Sequence, residues 1–256
     1  MDYIVNNLSS ARSGKINRVF PGANLKVHPT MMFLDIETTG LSPYDMVNTV
    51  SIARLNGDLK VNTYFTIDPE SEEAVISKVL DEILSPSTSL FTYNGKSFDI
   101  SRLNERAVAW GAIDKAIRKD GQSLLLPNYA SPARMALQLQ KNAGSSPTDH
   151  QNYLEFLLNG RHQDLMDLFG DFFKRQVKEK PRDGQLQTLE KIIPEFGVHR
   201  KNEILGREIP GTYRRFIYEG DNEKDVARII EHNVLDTITL TALLTYLCVK
   251  EESKKK

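Results

Sequence analysis

Apolar and polar positions change period several times along the chain, and each change marks an element. Residues 31–37 (MMFLDIE) are a mostly apolar run closed by Thr38, Thr39, Gly40 and then Pro43, which predicts a buried strand ending in a turn. Segments 48–55 and 60–67 read as two further strands joined across Asn56-Gly57, a dipeptide favoured in type I′ hairpins because both central residues need positive φ. The first three strands are therefore expected to form an antiparallel meander. Val75, Val79, Leu80, Ile83 and Leu84 share one helical stripe that Ser85-Pro86 stops. A strand at 89–93 and a helix from about 98 to 110 follow. Segments 131–140 and 151–158 look helical with a loop at 143–147 between them, so the stretch around 112–160 is read as a helical insertion. Residues 162–168 are expected as a short strand running into a helix that ends near 178. Helical periodicity returns at 186–193 and at 222–249, the latter expected as two helices. Residues 1–30 show no sustained period and are read as a loosely packed, polar and basic arm.

Composition narrows this picture to a single globular domain, here placed at 31–250. The chain has 256 residues, 26% charged and 40% apolar, with 11 Phe and 9 Tyr, which is ample material for a core. Cys248 is the sole cysteine, so a disulfide framework and a cysteine-built zinc or iron–sulfur site are excluded. With no 18-residue apolar run and no secretory signal core in the first 24 residues, a soluble cytoplasmic protein is expected. Lys and Arg number 33 against 34 Asp and Glu, a net charge of −1, so bulk charge does not announce a polyanion partner. Any nucleic-acid reading has to come from local sites.

The candidate chemistry is acidic. Asp35 and Glu37 lie two apart, so both carboxylates leave one face of the strand at its carboxyl end, where open α/β sheets place ligands. The same Asp-x-Glu spacing at Asp68 and Asp221 lacks that setting and reads as solvated surface. A solvated strand end is the plain alternative for the first pair as well, although a charged pair closing an apolar strand needs a cation or donors. Asp99 follows a strand and an Asn94-Gly95 turn, where it puts a third carboxylate at a second strand end or simply opens a helix. His232 and Asp236, four apart, stack on one helix face as a site or as a surface pair. Four converging carboxylates would repel, so convergence implies metal, and oxygen ligation without Cys points to two Mg²⁺ or Mn²⁺ ions. Such a site suits in-line phosphodiester hydrolysis, one ion activating water and the other stabilising the leaving 3′ oxygen, with His232 as the obvious base.

DIETTGL at 35–41, NGKSFD at 94–99 and HNVLD at 232–236 resemble, in order, the three motifs of the DEDD 3′-5′ exonucleases of the ribonuclease-H-like superfamily. HQDLMDLF at 162–169 and LQTLEKIIPEFGVHR at 186–200 are similar to blocks of the YprB-like branch, and the resemblance covers about residues 31–247. It implies an α/β fold, a five-stranded mixed sheet with the second strand antiparallel, flanked by helices. It also implies Asp35, Glu37, Asp99 and Asp236 as metal carboxylates. Thr38 and Leu41 would then hold the terminal nucleotide, Asn94 would line its pocket, and Asp164 would stand just outside the ligands or merely cap a helix. The family's base is usually Tyr four residues, or His five residues, before the last Asp; here it is His at four.

The expected activity is metal-dependent removal of nucleoside 5′-monophosphates from the 3′ ends of single-stranded DNA or RNA. A binding module that keeps the fold without the chemistry is the second reading, and the retention of all four carboxylates argues against it. A haloacid-dehalogenase-type phosphatase would need Asp where Glu37 stands. Residues 174–215 carry 11 Lys and Arg against 6 Asp and Glu, including Tyr213, Arg214 and Arg215, and either track phosphates or form a solvated face.

Overall fold

The computed structural model describes residues 4–7, 13–20, 30–42, 44–56, 58–85, 88–113, 153–168, 204–220 and 223–253. The helices expected at 131–140 and 186–193, the end of the one expected near 178, and most of the insertion and of the basic stretch lie outside these residues.

Seven strands form one sheet: β1 (Ile4–Asn7), β2 (Ser13–Phe20), β3 (Met31–Thr38), β4 (Val47–Asn56), β5 (Asp58–Thr66), β6 (Ser89–Thr92) and β7 (His162–Asp164). Their order is β1-β2-β5-β4-β3-β6-β7. Within it, β5-β4-β3-β6-β7 is the expected five-stranded mixed sheet. β4 runs antiparallel to β3 and to β5, whereas β6 is parallel to β3 and β7 to β6. The hairpin closes where Asn56-Gly57 predicts it, with Asn56 opposite Asp58. The N-terminal arm departs from expectation: β2 pairs with the free edge of β5 from Ser13↔Thr66 to Phe20↔Leu59, and β1 pairs with β2. Backbone pairing with an existing edge defines these strands, so side-chain periodicity gives them little signal.

The central strand reads as continuously apolar because both of its faces are covered. Met32, Leu34 and Ile36 pack with Val75, Val79 and Leu80 of α1 (Glu72–Ile83) and Ile100 and Leu103 of α2 (Asp99–Ala109). Phe33 turns the other way, stacking on Phe91 at 5.4 Å between ring centroids and packing with Ile230, Val234 and Leu240. Those three belong to α5 (Glu223–Ser253), a single 31-residue helix where two were expected. Nothing between 223 and 249 breaks it, because the segment has neither Gly nor Pro. Its threonine hydroxyls bond to carbonyls one turn back, as Thr237 Oγ1 does to Asn233 O at 2.8 Å, and so do not compete with the helix. Two shorter helices complete the described fold, α3 (Tyr153–Leu158) and α4 (Ile209–Arg215), the second running into a π-helical turn at Phe216–Gly220.

Glu72, wholly buried at the start of α1, joins three elements: it accepts from Val47 N, from Arg106 Nε and Nη2, and from Trp110 Nε1, at 2.5–2.9 Å. A buried carboxylate persists only when so compensated, and breaking such a pair costs about 3–5 kcal/mol. Arg106 Nη1 also reaches Tyr44 O, and Arg102 Nη2 donates to Leu41 O at 2.6 Å. Two arginines of α2 thus fix the loop that follows β3.

Candidate active site

Alternation along β3 decides where its acids go. Asp35 and Glu37 continue the face that Phe33 occupies, towards α5, and both are half-buried. On α5 the same face presents His232, Asn233 and Asp236, all buried. Asn233 Nδ2 donates to Asp35 Oδ2 at 2.7 Å. His232 Nε2 lies 3.5 Å from Glu37 Oε1 and 3.3 Å from Asp236 Oδ2. One ligand atom each from Glu37, His232 and Asp236 fall within 4.8 Å of one another.

Asp99 arrives from the opposite layer. It is the first residue of α2, at the carboxyl end of β6 beside β3, and its Oδ1 accepts from Ile36 N at 3.0 Å. Burial, and then the charge of Asp35, push its carboxyl well above the ordinary 3.8, against the pull of backbone N–H donors at Ile36 and at Asp99 itself. Two carboxylates at one end of a central strand thus oppose each other's ionisation, and two more stand around one imidazole.

The turn that delivers Asp99 is tightly specified. Asn94 sits at φ 60°, in the left-handed region that Asn tolerates better than most residues, and its Oδ1 accepts from Ser97 Oγ at 2.7 Å. A Cβ on Gly95 would lie 2.0 Å from Thr92 Oγ1. Thr92 is itself fixed, because its hydroxyl meets His162 Nε2 at 2.8 Å while His162 Nδ1 meets Glu155 Oε2 at 2.8 Å. Asp164, at the end of β7, accepts from Asn94 N and Lys96 N and also from Met166 N, at 2.8–3.1 Å. It stands outside the group formed by Glu37, His232 and Asp236, and it acts on Asp99 by building the turn and by its charge. Thr38 is buried with its hydroxyl on Gly40 O at 2.6 Å, whereas Leu41 is 77% exposed at the loop tip.

The donor set fits a hard divalent cation. Carboxylate oxygens dominate, an imidazole nitrogen stands among them, and the mutual pressure between Asp35 and Asp99 is the kind a bound cation relieves. Sequence reasoning missed Asn233, whose Oδ1 finds no hydrogen-bond partner among the described residues. HNVLD puts Asn233 three residues before Asp236 on one helix face, but nothing in the motif names Asp35 as its partner. Tyr44, 88% exposed on the loop that carries Leu41, went unremarked as well.

A family model described as RNase H superfamily matches residues 32–248. No curated protein matches the chain. Among the described residues, no helix is long and apolar enough to cross a membrane.

Proposed function

The chain belongs to the ribonuclease H superfamily, and from that membership together with the acidic site we propose that it is a 3′-5′ exonuclease of the DEDD kind, close to the YprB-like branch. Nuclease-type hydrolysis is the activity of the superfamily at large; direction, substrate and metal count are the added steps. The observation that best supports a metal-dependent hydrolytic site is the meeting of Glu37, Asp236 and His232 within 4.8 Å at the strand end where Asp35 and Asp99 press on each other.

In this reading Asp35, Glu37, Asp99 and Asp236 would hold two divalent ions, Mg²⁺ or Mn²⁺, which would supply a nucleophile at neutral pH and offset charge on the phosphoryl oxygens. Asn233 holds Asp35 through the 2.7 Å bond. His232 Nε2, placed between Glu37 and Asp236, takes the proton from the attacking water, and the flanking carboxylates favour the imidazolium that results. The water oxygen bonds to phosphorus as the P–O3′ bond breaks; the shortened strand keeps the 3′ oxygen, which takes a proton from solvent, and a nucleoside 5′-monophosphate leaves. Leu41, held out on a loop pinned by Arg102, packs on the terminal base, with Thr38 and Asn94 lining the same end. The partner is the 3′ end of single-stranded nucleic acid, and the lone Cys248 suits a reducing, cytoplasmic setting.

The test is digestion of matched single-stranded DNA and RNA oligonucleotides, labelled at the 5′ end, with Mg²⁺ or Mn²⁺ and with an EDTA control. A metal-dependent ladder shortening from the 3′ end, absent in Asp35→Asn, is the expected result and names the preferred sugar. Uncut oligonucleotides together with no Mn²⁺ binding would favour the binding module.

A further inference from the structure

Beside the acidic site, on the α4 side of the loop 39–46, lies a pocket of about 390 Å³ lined by Thr39, Met46, Pro69, Tyr213, Arg214, Ile217 and Tyr218. We propose that it is a second nucleotide subsite, which takes the nucleotide upstream of the terminal one, with its base on Tyr218 and its phosphate on Arg214. The inference rests on the exonuclease reading and deepens it.

Position is the first argument. Thr39 is two residues past Glu37 at the exit of β3, so at most about 7 Å of backbone separates them, and the pocket adjoins the site that would cut. It also stands at the same end of the sheet, because Tyr213 Oη donates to Thr66 O at the end of β5. A strand whose 3′ nucleotide sits against Leu41 has to leave past one side of this loop, and on the α4 side it meets the pocket.

Rigidity is the second. The loop foot is closed twice, by Thr39 N to Met46 O and by Met46 N to Thr39 Oγ1, both 2.9 Å. Ile204, Ile209, Tyr213 and Ile229 form a small core beneath, and Met46, Phe216 and Ile217 pack against it. Ile229 lies one turn before His232 on α5, so this core and the acidic site share a support. A volume near 390 Å³ falls in the ordinary range for small-ligand sites.

Chemistry is the third. Tyr218 is 81% exposed on the π-helical turn, and Arg214 is exposed, with no hydrogen bond or ion pair to it among the described residues. The next arginine differs, since Arg215 turns to Asp225 at 3.7 Å. A guanidinium without a partner among the described residues, next to an apolar floor and an exposed phenol ring, suits a nucleotide, whose base stacks without regard to sequence while its phosphate takes the charge. Such a site also explains how a protein of net charge −1 would hold a polyanion.

The experiment compares wild type, Tyr218→Ala and Arg214→Ala. Both side chains are exposed, so the fold is expected to survive both changes. Fluorescence anisotropy with a short labelled oligonucleotide in Ca²⁺ reads binding apart from cleavage. Hydrolysis of the 4-nitrophenyl ester of thymidine or uridine 5′-monophosphate, which presents a single nucleotide, reads the chemical step. Tyr218→Ala should weaken oligonucleotide binding about tenfold. Arg214→Ala should lower the slope of log affinity against log salt by about 0.7. Neither should change ester hydrolysis. Unaltered oligonucleotide affinity and salt slope in both variants would overturn the subsite, as would an equal loss on ester and oligonucleotide, which would assign the pocket to the terminal nucleotide or to the fold. If wild type cuts neither substrate while binding still depends on Tyr218, the subsite stands and the exonuclease reading fails.

Discussion

At the scale of single residues, Asp99 is where burial and charge conflict most plainly. Its carboxyl is raised above the ordinary 3.8 in the fold, so the folded state favours the protonated acid. The stabilisation is therefore whole below that ordinary value and is lost as pH climbs through the raised one. In protein kept in EDTA, Asp99→Asn should remove this loss and melt at a higher temperature than wild type near neutral pH, with the gap shrinking towards about pH 4. Melting curves across pH check it, and a variant less stable than wild type at neutral pH would contradict this conflict between burial and charge. His232→Ala should lower turnover by about 100-fold or more if its Nε2 receives the water's proton. The accompanying pH–rate profile should lose its acidic limb, and an unchanged profile would remove His232 from that role. The carboxylates were legible because strand alternation and element ends fix where short acidic side chains point. Asn233 was not, because its meaning lies in Asp35, 198 residues away in sequence.

At the scale of elements, the segment from β6 to α2 carries the site's most exacting constraint. With Thr92 fixed through His162, the methyl of Gly95→Ala would land about on the Thr92 hydroxyl, so the turn has to shift and carry Asp99 with it. The expected result is a loss of about 100-fold or more in turnover, since misplacement by about 1 Å is that costly, accompanied by weaker Mn²⁺ binding in calorimetry. Wild-type turnover in that variant would show that the turn has slack. Elements with a strong period, such as β3, α1 and α2, were readable because burial on a defined face sets both pattern and structure. Others were not readable for stated reasons. The segment 204–220 contains Ile-Pro-Gly, which suggests a break, yet Pro210 stands in the first turn of α4, where its missing N–H costs nothing. The division of α5 into two helices had no Gly or Pro to support it, and the structure runs straight through.

At the scale of the whole molecule, the sheet is built outwards from β3, and its two edges differ in kind. The β6–β7 side carries the turn of the site, while the β5 side is continued by β2 over a ladder from Ser13↔Thr66 to Phe20↔Leu59. The acidic residues come from β3, α2 and α5, and β5 and β4 stand between β3 and the N-terminal strands in the sheet order. Their evident physical role is to pair an edge that would otherwise present a row of backbone donors and acceptors. Removing residues 1–20 should therefore change association and leave metal binding intact. By light scattering, the shortened chain should self-associate with rising concentration where the full chain does not, and Mn²⁺ should bind both alike. A shortened chain that stays monomeric would show that β5 needs no cover. One that loses Mn²⁺ would show that strain at this edge reaches β3 through β4, joining sheet completion to the chemistry at its centre.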